Sequence, residues 1–284
     1  MILTSIKSVG IILRPSTPEL KTMFLETKRI FESRNIEVFI DHISGGMIDV
    51  MGEPFEMMCS HCDFLVTVGG DGTLISAVRR VYPFQLPVLG IHAGKLGFLA
   101  DLDFNELESF VDKLLVGDFR IDDRVMVQAT ISTKHGIREV VAFNDIVLTR
   151  PSISKMIRLE TYVDGRNFNT YYGDGVVVSS PTGSTAYNLS AGGPVLFPNT
   201  NVFALTPICP HSLTQRPVVL PGHFEIEIKT LDANALVILD GQEMIKITHH
   251  DTVHIKLAQS GAHLIHRKEF NYFDVLKEKL GWGN

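Results

Sequence analysis

The stretch DFLVTVGGDGTLISAVRRV, residues 63–81, decides how we interpret the first part of the chain. A mostly apolar run, residues 64–68, precedes three glycines, one aspartate and a threonine, and apolar residues at helical spacing follow. Such a run is typical of a strand that is buried on both faces, and the spacing after it indicates a helix. We therefore predict a strand, a glycine turn and a helix. A hairpin is the alternative, because Asp-Gly favours a type I′ turn.

The glycine turn has the chemistry of a phosphate site. A helix N-terminus exposes unpaired N–H groups with partial positive charge, and glycines let a phosphate approach the backbone closely. Asp71 would repel a phosphate at this place. Its carboxylate is better explained by a second reactant, such as a hydroxyl group that is to be phosphorylated. Asp71 could orient that hydroxyl, accept its proton or hold a metal ion.

Two common phosphate-binding sequences do not occur in the chain. The P-loop sequence GxxxxGK[ST] is missing, since GIHAGK at residues 90–95 is one residue short and lacks the hydroxyl. The sequence GxGxxG is missing as well. By motif, the chain is neither a P-loop enzyme nor a standard dinucleotide-binding Rossmann domain.

The composition indicates a water-soluble protein with a packed core. Of the 284 residues, 45% are hydrophobic and 20% are charged, and the net charge is −6. We therefore expect no binding to nucleic acid or to a membrane, and no apolar run is long enough to span one. Three cysteines and no targeting sequence indicate the cytoplasm. Cys59 and Cys62 have CxxC spacing, but we interpret them as ordinary buried thiols.

A change in the pattern of strand-like and helix-like segments along the sequence predicts two domains. Up to about residue 118, strands alternate with helices, which favours a parallel sheet with helical cover. Short β-type runs separated by Asp-Gly and Pro-Gly turns follow, which favours an antiparallel β domain. The tail returns to a helix that we expect to pack on the first domain. We thus predict an α/β domain, residues 1–118 with the tail 265–284, and a β-rich domain, residues 119–264.

Five motifs resemble those of bacterial NAD kinases, and along the chain they follow one another in the order found in that family. GGDGT at residues 69–73 is shared with diacylglycerol and sphingosine-type lipid kinases and, in a variant form, with phosphofructokinases. The long segment DGVVVSSPTGSTAYNLSAGGP, residues 174–194, separates the NAD kinases from the others. KLGFLADL at 95–102, NDIVLTR at 144–150 and PHSLTQRP at 210–217 agree with it, so the resemblance spans nearly the whole chain.

This resemblance implies both the fold and the reaction. The fold would be an α/β domain with a parallel sheet, a C-terminal antiparallel β-sandwich-like domain, and a terminal helix that returns to the first domain. In the reaction, ATP gives its γ-phosphoryl group to the 2′-hydroxyl of the adenosine ribose of NAD, and NADP forms. Mg²⁺ or another divalent cation would arrive with ATP, so no residue is assigned as a metal ligand. The family is oligomeric, which implies a homo-oligomer, either a dimer or a tetramer.

The resemblance also implies the residues of the site. Asp71 would lie near the 2′-hydroxyl as a base or as an orienting group. The substrates would be bound by Gly69, Gly70, Gly72, Thr73, Phe98, Asn144, Asp145, Lys155, Asp174, Thr182, Thr185, Ala186, Tyr187, Asn188, Ser190 and Gln242. Two positions depart from the family: Asp145 stands where glutamate is more common, and Tyr171 and Tyr172 stand where a basic residue is frequent.

Other interpretations of these residues stay open at this point. Phe98 could be an ordinary core residue, Lys155 an ordinary solvated lysine, and PTGSTAY a loop whose hydroxyls cap its own backbone. A lipid kinase with the same glycine turn is a second function, although the acidic chain shows no apolar or basic membrane-facing run. A non-catalytic sensor that binds NAD(H) is a third function, and the presence of Asp71 counts against it.

Overall fold

The computed structural model of the protein describes residues 6–94, 97–152 and 155–283. In it the chain forms two compact units. The first unit contains Met1–Asp123 and His263–Asn284, and the second contains Arg124–Ala262. The chain therefore leaves the first unit, builds the second and then returns to the first. Lys95 and Leu96 of the predicted KLGFLADL motif lie outside the described residues.

The first unit is built on a mostly parallel sheet. Strands are numbered in chain order, and those of this sheet are β1 (Ser8–Leu13), β2 (Glu37–Ile40), β3 (Phe64–Gly69), β4 (Val88–His92), β5 (Leu102–Asp103), β6 (Arg120–Arg124) and β19 (Ala262–His266). Their order is β2-β1-β3-β4-β19-β6, and β5 pairs with β4 off this path. The pairs from β2 to β19 are parallel. The last strand of the chain is therefore an inner strand of the first sheet.

Helices cover this sheet. They are α1 (Lys21–Glu32), α2 (His42–Met47), α3 (Phe55–His61), α4 (Asp71–Val81), α5 (Leu107–Leu115) and α7 (Tyr272–Leu280), with short 3-10 turns at Pro18–Leu20, Tyr82–Phe84 and Phe104–Glu106. The core between sheet and helices is made of apolar side chains of β1, β3 and β4 against those of α1 and α5, such as Phe31, Phe64 and Phe110. Burial of such side chains is the main stabilising term of a unit of this size.

The opening stretch folds as a strand, a turn and a helix. Every residue of β3 is buried, and α4 begins at Asp71 directly after it. Leu74, Val78 and Val81 are buried on one face of α4, as their helical spacing predicts. The prediction of a strand followed by a helix is confirmed, and the hairpin alternative is wrong.

The second unit is a sandwich of two antiparallel sheets. Within the described residues each sheet has six strands, in the orders β11-β10-β15-β18-β7-β8 and β14-β13-β12-β9-β16-β17. The strands are β7 (Val127–Thr133), β8 (Gly136–Ala142), β9 (Asp145–Thr149), β10 (Ile157–Val163), β11 (Arg166–Gly173), β12 (Gly175–Ser179), β13 (Val202–Ile208), β14 (Val218–Pro221), β15 (Ile226–Thr230), β16 (Asn234–Leu239), β17 (Glu243–Thr248) and β18 (Thr252–Leu257). A 3-10 turn, Thr182–Thr185, and the short helix α6, Tyr187–Ser190, follow β12. One apolar cluster contains inward-facing residues of both sheets and fills the space between them.

These observations confirm the predicted fold class. Asp164-Gly165 and Asp240-Gly241 have positive φ at both residues, as type I′ hairpin turns require. Cys59 and Cys62 are buried, and burial raises the pKa of each thiol to about 12, so both are inert thiols in the core. No helix within the described residues combines the length and the apolar character that crossing a membrane requires.

Candidate active site

The glycine turn between β3 and α4 contains two kinds of glycine. Gly69 is required by the fold, because a Cβ there would overlap the side chain of Thr73. Gly70 and Gly72 face open space, where a Cβ would have no neighbour within 4 Å, and neither has a positive φ. The fold itself therefore does not need glycine at these two positions. The absence of side chains at both positions lets an anion approach the backbone at the N-terminus of α4 closely.

The Asp71 carboxylate is held against a segment of its own unit. Among the described residues, Oδ2 accepts a hydrogen bond from Phe98 N at 2.7 Å, and Oδ1 accepts from Leu99 N and Ala100 N at 3.2 Å each. A Cβ at Gly97 would overlap this carboxylate, so glycine is required there. Asp71 is half-buried rather than freely exposed. The sequence had suggested a carboxylate that faces only a reactant, whereas the structure also makes it the anchor of residues 97–100.

Phe98 therefore reaches the glycine turn through its backbone. Its N–H makes the shortest of these bonds to Asp71, and its side chain is half-buried. Half-burial allows both the packing of Phe98 in the core and a contact of its ring with a ligand, so its role as a binding residue stays a prediction.

A cavity of about 320 Å³ lies in the second unit at the start of β9. It is lined by Asn144, Asp145, Val147, Thr149, Ala186, Tyr187, Ile238, Asp240 and Gly241. Four of the predicted site residues, from two motifs that are about forty positions apart in the sequence, thus meet at one place. Tyr187 is 46% exposed and offers a ring face at its edge.

Asp240 organises this cavity and was not predicted as a site residue. Its carboxylate accepts hydrogen bonds from three consecutive backbone N–H groups, those of Phe143 at 2.9 Å, Asn144 at 2.7 Å and Asp145 at 3.0 Å. From sequence, Asp240-Gly241 indicated only a hairpin turn. The three amides lie almost a hundred residues earlier in the chain, so no local pattern could have revealed the contact.

The Asp145 carboxyl group titrates near neutrality. It is buried, and burial together with the nearby charge of Asp240 raises its pKa to about 7. Asn144 lies beside it, and its buried Oδ1 has no hydrogen-bond partner among the described residues. A buried polar atom without a partner is costly, so this atom is available to a ligand that can donate a hydrogen bond.

The segment after β12 is packed tightly against Asn144. Ser180 N donates to Asn144 O at 2.8 Å, and Ser180 Oγ donates to Phe143 O at 2.6 Å. A Cβ at Gly183 would overlap the backbone of Asn144, so only glycine permits this approach. The glycine in PTGST thus brings the motif into contact with the NDIVLTR motif.

The other predicted residues of this segment differ in exposure. Thr182 is buried, Thr185 is half-buried and Ser190 is exposed. Asn188 is buried, and its side chain is bonded within the unit: Nδ2 donates to Ser184 O and Pro194 O, and Oδ1 accepts from Thr206 Oγ1 at 2.7 Å. The expectation that Asn188 contacts a ligand therefore does not fit this geometry, because its amide already orders the segment.

An open cleft of about 680 Å³ also lies in the second unit. Its lining is rich in basic residues and consists of Arg150, Lys155, Met156, Arg158, Tyr172, Asp174 and Asp232. Two of the cations are ion-paired, Arg150 with Asp174 at 3.1 Å and Arg158 with Asp232 at 3.3 Å. The cleft brings together Lys155 and Asp174, two predicted site residues. Gln242 lines neither space and is exposed in the turn after Asp240.

Within residues 6–94, 97–152 and 155–283, no group of three or more His, Cys, Asp or Glu side chains could hold a metal ion.

Two family models match the chain. The ATP-NAD kinase N-terminal domain matches residues 9–119, and the ATP-NAD kinase C-terminal domain matches residues 143–267. The NAD kinase of Sulfurimonas denitrificans is 59% identical over 278 residues, which cover 98% of each chain. This chain belongs to the NAD kinase family. It is an NAD kinase, and the alternatives of a lipid kinase and of a non-catalytic sensor are set aside.

Other relatives of this NAD kinase support the same family and fold. The NAD kinase of Wolinella succinogenes is 50% identical over 283 residues, covering 99% of this chain and 98% of the relative. The crystal structure of yeast NADH kinase complexed with NADH matches with a TM-score of 0.91 at 27% identity, covering 98% of this chain and 89% of that one. The NAD kinase from Archaeoglobus fulgidus in complex with ATP has a TM-score of 0.78 at 24% identity, with coverage of 96% and 98%, and supports the fold.

Proposed function

We propose that this NAD kinase transfers the γ-phosphoryl group of ATP to the 2′-hydroxyl of the adenosine ribose of NAD, which gives NADP. The observation that carries the proposal is the glycine turn, where an accessible helix N-terminus and one carboxylate stand side by side. The ribose oxygen forms the new bond to phosphorus, the bond between that phosphorus and ADP breaks, and the hydroxyl loses its proton. An anionic donor and an alcohol acceptor each have a matching group in this turn.

The phosphates of ATP would lie at Gly70 and Gly72. The open space at both positions supports this proposal, because the fold gives no reason for glycine there. Mg²⁺ would enter as part of MgATP. Magnesium is commonly held by one or two carboxylates together with substrate phosphates, so the phosphates of ATP would supply part of its ligands.

Asp71 would orient the acceptor hydroxyl. A carboxylate offers roughly four acceptor positions, and the three N–H bonds from residues 98–100 leave at most about one. One remaining position suits a single hydrogen bond from a hydroxyl. The same three bonds fix the direction of the carboxylate before the substrate arrives, which lowers the cost of orienting the reacting group.

The cavity at β9 would bind the hydroxyl-bearing part of NAD. Asn144 Oδ1 lacks a partner among the described residues, and Asp145 is the adjacent acceptor, so a ribose could donate a hydrogen bond to each. Tyr187 offers a ring face for a flat ring such as nicotinamide. The neighbouring basic cleft, with Lys155 and Asp174, would contact the remaining polar groups of the dinucleotide. Thr73, Thr182, Thr185, Ser190 and Gln242 stay candidates for further contacts, whereas Asn188 would act by ordering its segment.

A homo-oligomer, a dimer or a tetramer, belongs to the same proposal. Leu213 in the PHSLTQRP segment is 91% exposed, which is unusual for a leucine unless a partner covers it. Light scattering of the purified protein measures the number of subunits, and a monomer at micromolar concentration would contradict this part.

The reaction is tested by incubating the purified protein with ATP, Mg²⁺ and NAD and reading NADP with an NADP-specific dehydrogenase. We expect NADP from the unaltered protein. Asp71→Asn should keep NAD binding, since the cavity at β9 is unchanged, but should lower kcat by at least about a hundredfold because the orienting charge is lost.

Asp63→Asn is the matched control for Asp71→Asn. Asp63 Oδ2 also accepts backbone N–H groups, from Lys7 at 2.7 Å and Ser8 at 3.0 Å, but it lies at the other end of β3. This variant should lose stability and retain kcat. Well-folded protein that forms no NADP would overturn the reaction, and an unchanged kcat in Asp71→Asn would overturn the role of Asp71.

A further inference from the structure

We propose that His266 and Asp101 are positioning residues for the reaction, which set the Asp71 carboxylate through the segment of residues 97–101. The proposal rests on the role proposed above for Asp71 in phosphoryl transfer. It comes from a buried histidine that neither the glycine turn nor the two spaces of the second unit uses.

His266 ends β19 and is almost fully buried. Its side chain is 1% exposed and its Nδ1 lies 3.1 Å from Asp101 Oδ1, while the Asp101 side chain is 5% exposed. A carboxylate oxygen accepts, so Nδ1 donates. The imidazole ring stacks on Phe270, with centroids 4.2 Å apart and planes 6° apart. Its Nε2 lies 3.8 Å from Asp122 Oδ2. Stacking on Phe270 and the hydrogen bond to Asp101 together set the orientation of the imidazole ring.

Arg267 adds a second link to the same residue. Its Nη2 donates to the backbone oxygen of Asp101 at 2.9 Å, and its Nη1 donates to both carboxylate oxygens of Glu106 at 3.1 Å each. Two consecutive residues of the returning chain thus hold the side chain and the carbonyl group of Asp101. Such charge-assisted bonds are stronger than neutral ones.

Asp101 directly follows the segment that Asp71 holds. Ala100 N, one residue earlier, donates to Asp71 Oδ1 at 3.2 Å. Leu102, one residue later, pairs with Ile91 of β4. A trans peptide is rigid and keeps neighbouring Cα atoms about 3.8 Å apart, so a shift of Asp101 moves the Cα of Ala100, to which Ala100 N is bonded. Bonds of 3.2 Å tolerate little lengthening before they are lost. His266 therefore acts on Asp71 through the backbone. We call the contacts of His266 and Arg267 with Asp101 the clamp, and without it the Asp71 carboxylate would lose its fixed direction.

A buried pair that serves stability alone would leave the Asp71 contacts unchanged, and hydrogen exchange distinguishes the two roles. Exchange measured by mass spectrometry on peptides that contain residues 98–100 reports the three N–H groups that Asp71 accepts. In His266→Leu we expect these amides to exchange about tenfold faster or more. His266→Asn keeps a donor near the Nδ1 position and should restore most of the protection.

His263→Leu is the matched control. His263 lies on the same strand and its Nδ1 pairs with Asp123 at 2.6 Å, but within the described residues that pair forms no hydrogen bond with residues 97–101. Its exchange at residues 98–100 should equal that of the unaltered protein. If His266→Leu does not fold, His266→Gln takes its place, because its amide reaches the Nε2 position and withdraws the donor from Asp101.

Kinetics give the second test. His266→Leu should lower kcat for NADP formation about tenfold, with KM for NAD within about twofold, because the residues that line the cavity at β9 are untouched. In an Asp71→Asn background, the same change should cause no further loss, since both act through one carboxylate.

The outcomes separate this inference from the proposed function. Unchanged exchange at residues 98–100 in His266→Leu, or losses in kcat that multiply in the double variant, would overturn the positioning role. Faster exchange together with an unchanged kcat in Asp71→Asn would leave the clamp in place and instead overturn the proposed role of Asp71.

Discussion

Two aspartates of this kinase make the same unusual set of contacts. Asp71 accepts the N–H groups of residues 98–100, and Asp240 accepts those of residues 143–145. Each is followed by glycine in the sequence, yet Asp71 begins a helix and Asp240 lies in a hairpin turn. In both cases one charge orders three residues of a functional segment, because charged acceptors form the stronger hydrogen bonds.

The pKa of Asp145 leads to a prediction on stability. Its folded-state pKa of about 7 exceeds the ordinary value of 3.8 for an aspartate. Between these two values the folded protein binds more protons than the unfolded chain, so stability falls as the pH rises through this window and is then constant above it. Asp145→Asn removes the ionisation. The difference in the free energy of unfolding, Asp145→Asn minus the unaltered protein, should be larger at pH 8 than at pH 5. We expect this increase to be up to about 3 kcal/mol.

Urea unfolding at both pH values measures this difference. Asp49→Asn serves as the control, since Asp49 is exposed and its positive φ of 58° suits asparagine. The control should show no such trend with pH. A constant difference between Asp145→Asn and the unaltered protein at both pH values would contradict a raised pKa.

At the scale of single residues, sequence motifs predicted four residues that meet in one cavity, but not the aspartate that orders them. Asn144, Asp145, Ala186 and Tyr187 meet in one cavity because their motifs carry them there together. Asp240 was missed, because its partners are separated from it by more than ninety residues and a hairpin explains its sequence fully. The bonds from residues 98–100 to Asp71 were missed for the same reason.

At the scale of elements, a substitution in α4 should raise the stability of the protein but weaken its binding of ATP. Gly72 lies in the first turn of α4, where an added Cβ meets nothing within 4 Å. Alanine is favoured over glycine in a helix by up to about 1 kcal/mol, so Gly72→Ala should raise the melting temperature slightly. The same methyl group stands where ATP phosphates are proposed to bind. We therefore expect KM for ATP to rise at least about tenfold.

Gly69→Ala is the comparison variant for Gly72→Ala. Its Cβ would overlap Thr73, so it should lower the melting temperature before any substrate is added. Thermal unfolding and initial rates at varied ATP give both quantities. An unaltered KM for ATP in Gly72→Ala would show that the phosphates of ATP do not bind at this turn.

Periodicity predicted the elements better than their ends. The apolar spacing after the glycine turn placed α4 correctly, and the tail forms the expected helix, α7. Ser16 and Glu19 have the spacing of a capping box, but Ser16 has a φ of 54°, and the N-cap residue Thr17 makes no side-chain cap bond. Thr17 Oγ1 instead donates to Pro15 O and accepts from Arg14. Three-residue spacing cannot show whether a cap side chain already has a nearer partner.

At the scale of the whole molecule, the two units differ in continuity. The second unit is one uninterrupted stretch, Arg124–Ala262, with an apolar core of its own. The first unit needs β19, which lies between β4 and β6 in its sheet. We expect residues 124–262 alone to fold cooperatively, and residues 1–123 alone to lack a cooperative transition because an inner strand is missing.

Circular dichroism with thermal melting of the two fragments measures this difference. Adding a separate fragment of residues 262–283 should restore a transition to residues 1–123. Cooperative unfolding of residues 1–123 without it would show that β19 is dispensable.

The fold class could be predicted from the alternation of strands and helices followed by short β-type runs. The place of β19 in the sheet could not, because a strand pattern does not name its neighbours. The pairing of Leu264 with Val88 and of Ile265 with Leu89 shows where the returning chain enters the sheet.

The inner place of β19 sets an order on folding during synthesis. β6 and β19 are sheet neighbours, but the ribosome makes residues 125–261 between them, which takes on the order of ten seconds. The second unit can therefore fold while the first unit still lacks β19, the neighbour of β4 in its sheet. We therefore expect the unit that carries Asp71 to mature only in chains that are translated past residue 262.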